Sequence, residues 1–389
     1  MKISFPYMGC VTGYKKFLEL LGHEVIMPDK PSQRTVDLGV LNSPEFICYP
    51  FKIMMGTYIE LCENGVDVII SSGGSGPCRA GMYCAIHQKV LKSLGYNTEL
   101  LIFDSLFQDF KEFKRKAKMI LNGNSIFTML KHLRLAFRMI CQMDKLQEKI
   151  KILRAYEVNR GDFDTAWDEI TEIYDKCMKL SDLKDAHARA EKILESVEVK
   201  IPPENKRLKI GIVGEIYVIM ESSTNMEVEK RLNALGVEVT NVQDISSWVK
   251  HNILPRRINR SKSWKVYDMG KKYKRYACGG HDMENTGWIA EFAKEGYDGI
   301  VHMMPFGCLP ELVTRSIIPE LCDELGMPIL SVSLDEQMGE ANFQTRLEAF
   351  VDLCRKKKTY NSTGSTRRSP EKPADSGTQN SENKTAVHA

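Results

Sequence analysis

Val66-Asp67-Val68-Ile69-Ile70-Ser71-Ser72-Gly73-Gly74-Ser75-Gly76-Pro77-Cys78-Arg79-Ala80-Gly81-Met82-Tyr83 decides the fold. A near-continuous β-branched run with little polar alternation reads as a parallel strand buried on both faces. The glycine-rich segment turns the chain. A helix is then predicted over 81–94, with Gly95 as its stop. Strand, tight loop and helix in that order form the repeating unit of a doubly wound α/β layer.

The same cadence extends outward in both directions. Upstream, Lys2 to Phe5 reads as a strand, Gly13 to Leu21 as a helix, and His23 to Met27 as a strand. Pro28 to Pro44 reads as a loop, and Phe51 to Glu63 as a helix ended by Gly65. Leu100 to Asp104 closes this first unit, residues 1–105. Residues 106–205 change to a 3.6-residue period, with Phe113, Leu130, Leu133, Phe137, Leu146, Trp167 and Ile170 on successive faces, so a helical insert is expected. Pro202-Pro203 ends it. A second α/β unit, 206–355, opens with Leu208-Lys209-Ile210-Gly211-Ile212-Val213-Gly214 and contains strands near 298–304 and 328–334. Residues 356–389 are polar and read as a disordered tail. The expected architecture is two parallel-sheet α/β units facing each other across a cleft, where ligands of open α/β sheets bind.

Composition bounds the function. The 54 basic and 51 acidic residues leave a net charge of +3, which gives no global attraction to nucleic acid or an anionic membrane. The run Arg256 to Arg275 carries nine basic residues interleaved with Trp264, Tyr267 and Tyr273, but it sits in an expected loop and reads as a solvated or partner-docking face. Nucleic acid is not expected. No stretch of roughly 18 apolar residues is present and the N-terminus lacks the apolar core of a signal peptide, so a cytoplasmic protein is the expectation. Eleven cysteines in that setting serve packing, metal or catalysis rather than disulfides.

Cys48, Cys78 and Cys308 stand apart from the rest. Each is flanked by proline or glycine and lies just before an amphipathic run, in Ser43-Pro44-Glu45-Phe46-Ile47-Cys48, in Gly76-Pro77-Cys78 and in Pro305-Phe306-Gly307-Cys308. Helix N-termini favour thiolates, and thiolates suit iron–sulfur clusters or zinc. An iron–sulfur cluster on these three is the working hypothesis. Cys10 and Cys278 also precede helices and form a second tier. Gly74 and Gly76, with Arg79, belong to a loop able to approach a cofactor closely, although it lacks the lysine and hydroxyl of a phosphate-binding P-loop. His281 reads as a donor to cluster or substrate, or as a helix cap. Glu215 and Glu336 end strands, as general acids and bases do and as capping residues do.

Taken together, Pro6-Tyr7-Met8-Gly9, Ser43-Pro44-Glu45-Phe46 with Cys48, Gly73-Gly74-Ser75-Gly76-Pro77-Cys78-Arg79, Gly214-Glu215-Ile216-Tyr217, Gly279-Gly280-His281, Met304-Pro305-Phe306-Gly307-Cys308 and Asp335-Glu336-Gln337-Met338-Gly339-Glu340 resemble the 2-hydroxyacyl-CoA dehydratase and activase-related superfamily. The resemblance is to its cluster-binding region, without the ATPase modules. It implies Rossmann-like layers and a four-iron, four-sulfur cluster, or a double cubane, held by Cys48, Cys78 and Cys308. It also implies electron transfer or reductive, dehydratase-type chemistry driven by a separate ATP-dependent activase, with an acyl-CoA as candidate substrate and a homodimer allowed. Two other readings stay open: a non-catalytic cluster carrier or scaffold, and a nucleotide-binding protein without a cluster.

Overall fold

The computed structural model describes residues 1–71, 78–102, 110–253 and 262–362. The first unit comprises β1 (Lys2–Ser4), α1 (Val11–Leu20), β2 (Glu24–Val25), α2 (Gln33–Leu41), α3 (Tyr49–Glu63), β3 (Val68–Ile70), α4 (Tyr83–Ser93) and β4 (Glu99–Leu101). Four helices follow: α5 (Phe110–Leu121), α6 (Ile126–Leu153), α7 (Asp162–Asp175) and α8 (Leu180–Ser196). The second unit comprises β5 (Leu208–Gly214), α9 (Ile216–Met220), α10 (Val228–Ala234), β6 (Val237–Asn241), α11 (Ile245–Ile253), α12 (Lys262–Gly270), α13 (Asp282–Lys294), β7 (Gly299–Pro305), α14 (Leu309–Leu325), β8 (Ile329–Leu334) and α15 (Glu340–Ser362).

The strands form two four-stranded sheets, ordered β2-β1-β3-β4 and β6-β5-β7-β8, and every pairing is parallel. This is the α/β fold with two Rossmann-like sheets. One apolar core joins the units, since Phe51, Met55 and Tyr58 of α3 cluster with Ile212, Tyr217 and Val218 of the second unit. That shared core fixes how the loops at the strand ends meet.

The helical region packs on both units. On the first, a Cβ at Gly13 of α1 would lie 2.4 Å from Ile140 Cγ1 of α6. On the second, Tyr156 donates to Glu238 Oε1 at 2.9 Å and the Ser246 amide to Asp144 Oδ2 at 2.9 Å.

Three sequence expectations need correction. The segment read as a loop over 28–44 contains helix α2, started by a reciprocal box in which the Ser32 side chain accepts from the Thr35 amide and the Ser32 amide donates to Thr35 Oγ1. The expected basic loop contains α12, which packs on α13, and residues 256–261 of that run lie outside the described residues. The polar tail does not begin at 356, because α15 continues to Ser362. Lys358 Nζ there reaches Asp298 Oδ2 at 2.9 Å and the Arg207 carbonyl at 2.6 Å, so basic residues that read as solvated dock on the sheet. The rest of the expected tail, 363–389, lies outside the described residues.

Candidate functional site

Cys48 and Cys308 are N-cap residues, of α3 and α14, and Cys78 is the N-cap of a 3-10 turn over Arg79–Met82 that leads into α4. Proline occupies the first turn of both α3 and α14, where its missing N–H is not needed. Cys78 follows β3 and Cys308 follows β7, so both lie beyond the C-terminal ends of central strands. Tertiary packing then brings the loops together.

The Cys48 sulfur lies 4.0 Å from the carbonyl oxygen of Gly307, the residue before Cys308, so two thiols 260 residues apart in sequence become neighbours, and both are buried. The neighbouring Cys308 thiol, with further help from the Tyr83 hydroxyl and the Arg79 guanidinium, pulls Cys48 down to about 6 against the opposing effect of burial. Its counterpart moves the other way: the neighbouring Cys48 sulfur, then burial, then the carboxylates Glu311 and Glu215, hold Cys308 protonated. The two thiols therefore titrate as a coupled pair, with Cys48 the more acidic member. Burial raises Tyr83 far above the ordinary phenol range, which keeps its hydroxyl a donor.

Arg79 ties the loops. Its Nη1 donates to the Phe46 carbonyl at 2.7 Å and its Nη2 to the Gly307 carbonyl. One guanidinium beside Cys78 therefore holds the chain two residues before Cys48 and one residue before Cys308. The main chain at Gly307 has φ +70°, a conformation that L side chains rarely adopt, and this lets the loop turn its carbonyl to Arg79.

Behind Cys308 lies a buried polar network that the sequence did not reveal. Glu311 accepts from Asn285 Nδ2 at 3.0 and 3.1 Å and lies 2.8 Å from His302 Nε2, while His302 Nδ1 is 2.9 Å from Ser331 Oγ. Asn285 also donates to the Gly214 carbonyl at 3.0 Å and accepts from its amide at 3.3 Å. Glu311 and Asn285 sit on helices whose apolar periodicity gave no reason to single them out. A buried His and Glu on facing elements was the available signal, but only contact between β7 and α14 reveals it.

The other candidates are placed as follows. Glu215 caps α9, accepting from the Val218 amide at 3.1 Å. Burial, then the fields of Glu311 and Cys48, push it up to about 7. His281 is the N-cap residue of α13, makes no side-chain cap bond, and is lowered to about 4 by burial. Glu336 pairs with Lys52 of the first unit at 2.6 Å; against the push of burial, Lys52 holds it below the usual carboxylate range. Cys278 lies in the loop before α13, its amide donating to Asp282 Oδ2 at 2.7 Å. Cys10 lies elsewhere, buried among Leu135, Met139 and Ile140 with its sulfur 3.5 Å from Met143 Sδ; burial pushes it up to about 12. Gly74 and Gly76 lie outside the described residues.

Among the described residues, no group of three or more His, Cys, Asp or Glu side chains is close enough together to hold a single metal ion. A cluster is wider than an ion, so its thiol ligands need not touch each other. No helix among them is long and apolar enough to cross a membrane.

The family model described as CoA enzyme activase uncharacterised domain (DUF2229) matches residues 4–245, from β1 through the helical region to the start of α11. No curated protein matches the chain. Four chains among solved structures match. One of them, a structure of the SBP FpvC from P. aeruginosa in complex with Ni2+, is 11% identical, with 93% of this chain and 97% of that chain covered and a TM-score of 0.21. At that score the likeness carries no argument about fold or metal.

Proposed function

Because this chain belongs to the family of the CoA enzyme activase uncharacterised domain, we propose that it is an iron–sulfur protein whose Cys48, Cys78 and Cys308 hold a cluster where the two α/β units meet. Its work in this reading is low-potential electron transfer or reductive, dehydratase-type chemistry, with an ATP-dependent activase-like protein as partner and an acyl-CoA as substrate class. The observation that carries the reading is the convergence of the Cys48 and Cys308 helix N-termini from two separate units, with the Cys48 sulfur 4.0 Å from the Gly307 carbonyl and Arg79 bonded to the carbonyls of Phe46 and Gly307.

The donor set fits such a group. The surroundings of Cys48 favour its thiolate form, and thiolates at helix N-termini are the ligands that clusters take. Cys78 stands next to the arginine that ties the other two loops. When bound, a cluster of this kind supplies a one-electron carrier, whose potential responds to burial and to hydrogen bonds at sulfur.

The chain's own residues supply the rest. The Tyr83 hydroxyl and the Arg79 cation both favour negative charge on the Cys48 sulfur. Burial, with the fields of Glu311 and Cys48, raises the Glu215 carboxyl to about 7, so it can take up a proton near neutral pH when negative charge is added beside it. Asn285 and His302 hold the Glu311 carboxylate in the first turn of α14, tying that turn to α13 and β7. Phe46, Met82, Phe306 and Leu309 are exposed apolar side chains beside the three cysteine loops, a rim suited to covering by a partner protein.

Iron and acid-labile sulfide per chain, with the visible spectrum, on protein purified without oxygen, test the reading. About four irons and four sulfides indicate one cubane, and about eight irons a double cubane. Serine at Cys48, Cys78 or Cys308 should abolish loading, whereas Cys141→Ser should not. Equal loading in all four variants overturns the ligand assignment, and an iron-free chain that resists reconstitution overturns the cluster.

A further inference from the structure

The two units repeat each other more closely than their sheets alone imply. Counted within each unit, both sheets have the order 2-1-3-4. In each, a helix pair precedes the third strand: α2 and α3 before β3, α12 and α13 before β7. Both pairs cross on two glycines set 17 residues apart, Gly39 and Gly56 in the first and Gly270 and Gly287 in the second. A Cβ at Gly39 would lie 1.9 Å from the Lys52 carbonyl oxygen, and one at Gly56 1.9 Å from that of Thr35. The corresponding distances are 2.1 Å from Gly270 to Met283 and 1.9 Å from Gly287 to Val266. In all four cases the carbonyl belongs to the residue four before the facing glycine.

The cysteines follow this duplication. Cys48 and Cys78 are 30 residues apart, and so are Cys278 and Cys308. Cys48 lies eight residues before the crossing glycine of α3, and Cys278 nine before that of α13. Cys308 follows the third strand of its unit, as Cys78 follows the third strand of the other. The chain therefore carries two equivalent cysteine pairs, each formed by the entry of the pre-strand helix and the loop after the strand.

Contacts place the Cys278 loop against the site. A Cβ at Gly280 would sit 3.2 Å from Cβ and Cγ of Pro310, in the first turn of the Cys308 helix. Lys274 pairs with Asp282, whose Oδ2 also accepts from the Cys278 amide at 2.7 Å, so the Cys278 loop is tied to the start of α13. In the first unit the equivalent junction is the bond from Arg79, after Cys78, to the Phe46 carbonyl, before Cys48.

We propose that Cys278 is a fourth thiol ligand of the same cluster, so that two equivalent cysteine pairs close it and leave no iron open. On binding, the Cys278 thiol gives up its proton to solvent and its sulfur lone pair forms the iron–sulfur bond. The inference rests on the cluster reading above and narrows it, because a cluster closed by four thiolates passes electrons without binding substrate at iron.

The test uses the full chain, metal-free and after anaerobic reconstitution with ferrous iron and sulfide, alkylated with iodoacetamide and read peptide by peptide by mass spectrometry. Loading should slow alkylation of Cys278 by roughly tenfold or more, alongside Cys48, Cys78 and Cys308, because a ligating thiolate is no longer a free nucleophile. Cys141 and Cys322 should react equally in both forms. Protection of the three with Cys278 reacting at its metal-free rate overturns the proposal while leaving the cluster reading intact; no iron and no protection anywhere overturns both. In a second measurement, the paramagnetic resonance spectrum of the reduced, loaded Cys278→Ala chain should change on adding cyanide, which takes the opened iron, and the wild-type spectrum should not. A wild-type spectrum that changes as much as the variant's overturns the fourth ligand.

Discussion

Removing the Cys308 sulfur from the metal-free chain offers the sharpest test of the pairing. The neighbouring Cys308 thiol is the largest influence that brings Cys48 to about 6, and burial works against it. With Cys308→Ala that influence is lost while most of the burial remains, so Cys48 should return to its ordinary value near 9 or above it. At pH 7 the thiolate fraction of Cys48 would then fall from about 0.9 to about 0.01, a change of three pH units or roughly 4 kcal/mol in the cost of ionisation. Because only the thiolate is alkylated, the rate at Cys48 should drop by roughly two orders of magnitude at pH 7. Its pH profile should move from a midpoint near 6 to one above 8. The assay is iodoacetamide alkylation across pH 5 to 10, followed at the Cys48 peptide so that the other cysteines do not interfere. A midpoint that stays near 6 in Cys308→Ala would refute the pairing. It would assign the thiolate to Tyr83, Arg79 and the α3 N-terminus instead.

Other expected outcomes follow from packing and charge. Gly56→Ala places a Cβ 1.9 Å from the Thr35 carbonyl oxygen, backbone that cannot swing aside, so urea unfolding should show a loss of roughly 1–3 kcal/mol or more, whereas Gly95→Ala, with nothing within 4 Å, should lose only the strain of its φ of +88°. Glu215 sits near 7 in the folded chain against its ordinary 4.5, so the native state binds the extra proton and stability should fall as pH rises from about 4.5 to 7. Glu215→Gln keeps the cap acceptor and should flatten that fall by roughly 1–3 kcal/mol in metal-free protein; parallel curves for variant and wild type would contradict the assignment. Lys52→Met leaves Glu336 without its cation across the junction of the units and should cost roughly 1–3 kcal/mol, with most of the loss recovered in the double variant Lys52→Met, Glu336→Gln.

The strands, the helix-start position of each cysteine and the helical character of the middle segment were legible because they rest on local pattern. β-branched runs such as Ile210 to Val213 form strands wherever both faces are covered, and glycine or proline beside a cysteine marks the loop that turns into a helix. Helices α2 and α12 were missed because their residues are polar enough to read as loop. They are held by glycine crossings whose partners, Lys52 to Gly39 and Met283 to Gly270, are visible only in three dimensions. The last helix was cut short for a related reason, since lysine looks solvated until its ammonium finds a sheet-end carboxylate.

The sequence by itself determined the two α/β units, the loops that carry Cys48, Cys78 and Cys308, and the equal spacing of the two cysteine pairs, because period, turn chemistry and spacing are properties of neighbouring or counted residues. Only the tertiary structure decided that Cys48 meets Cys308, that Cys10 is buried among the helices, and that Glu311, Asn285 and His302 stand behind the site. Contacts between residues hundreds of positions apart depend on how one shared apolar core sets two sheets against each other, and no local pattern encodes that arrangement.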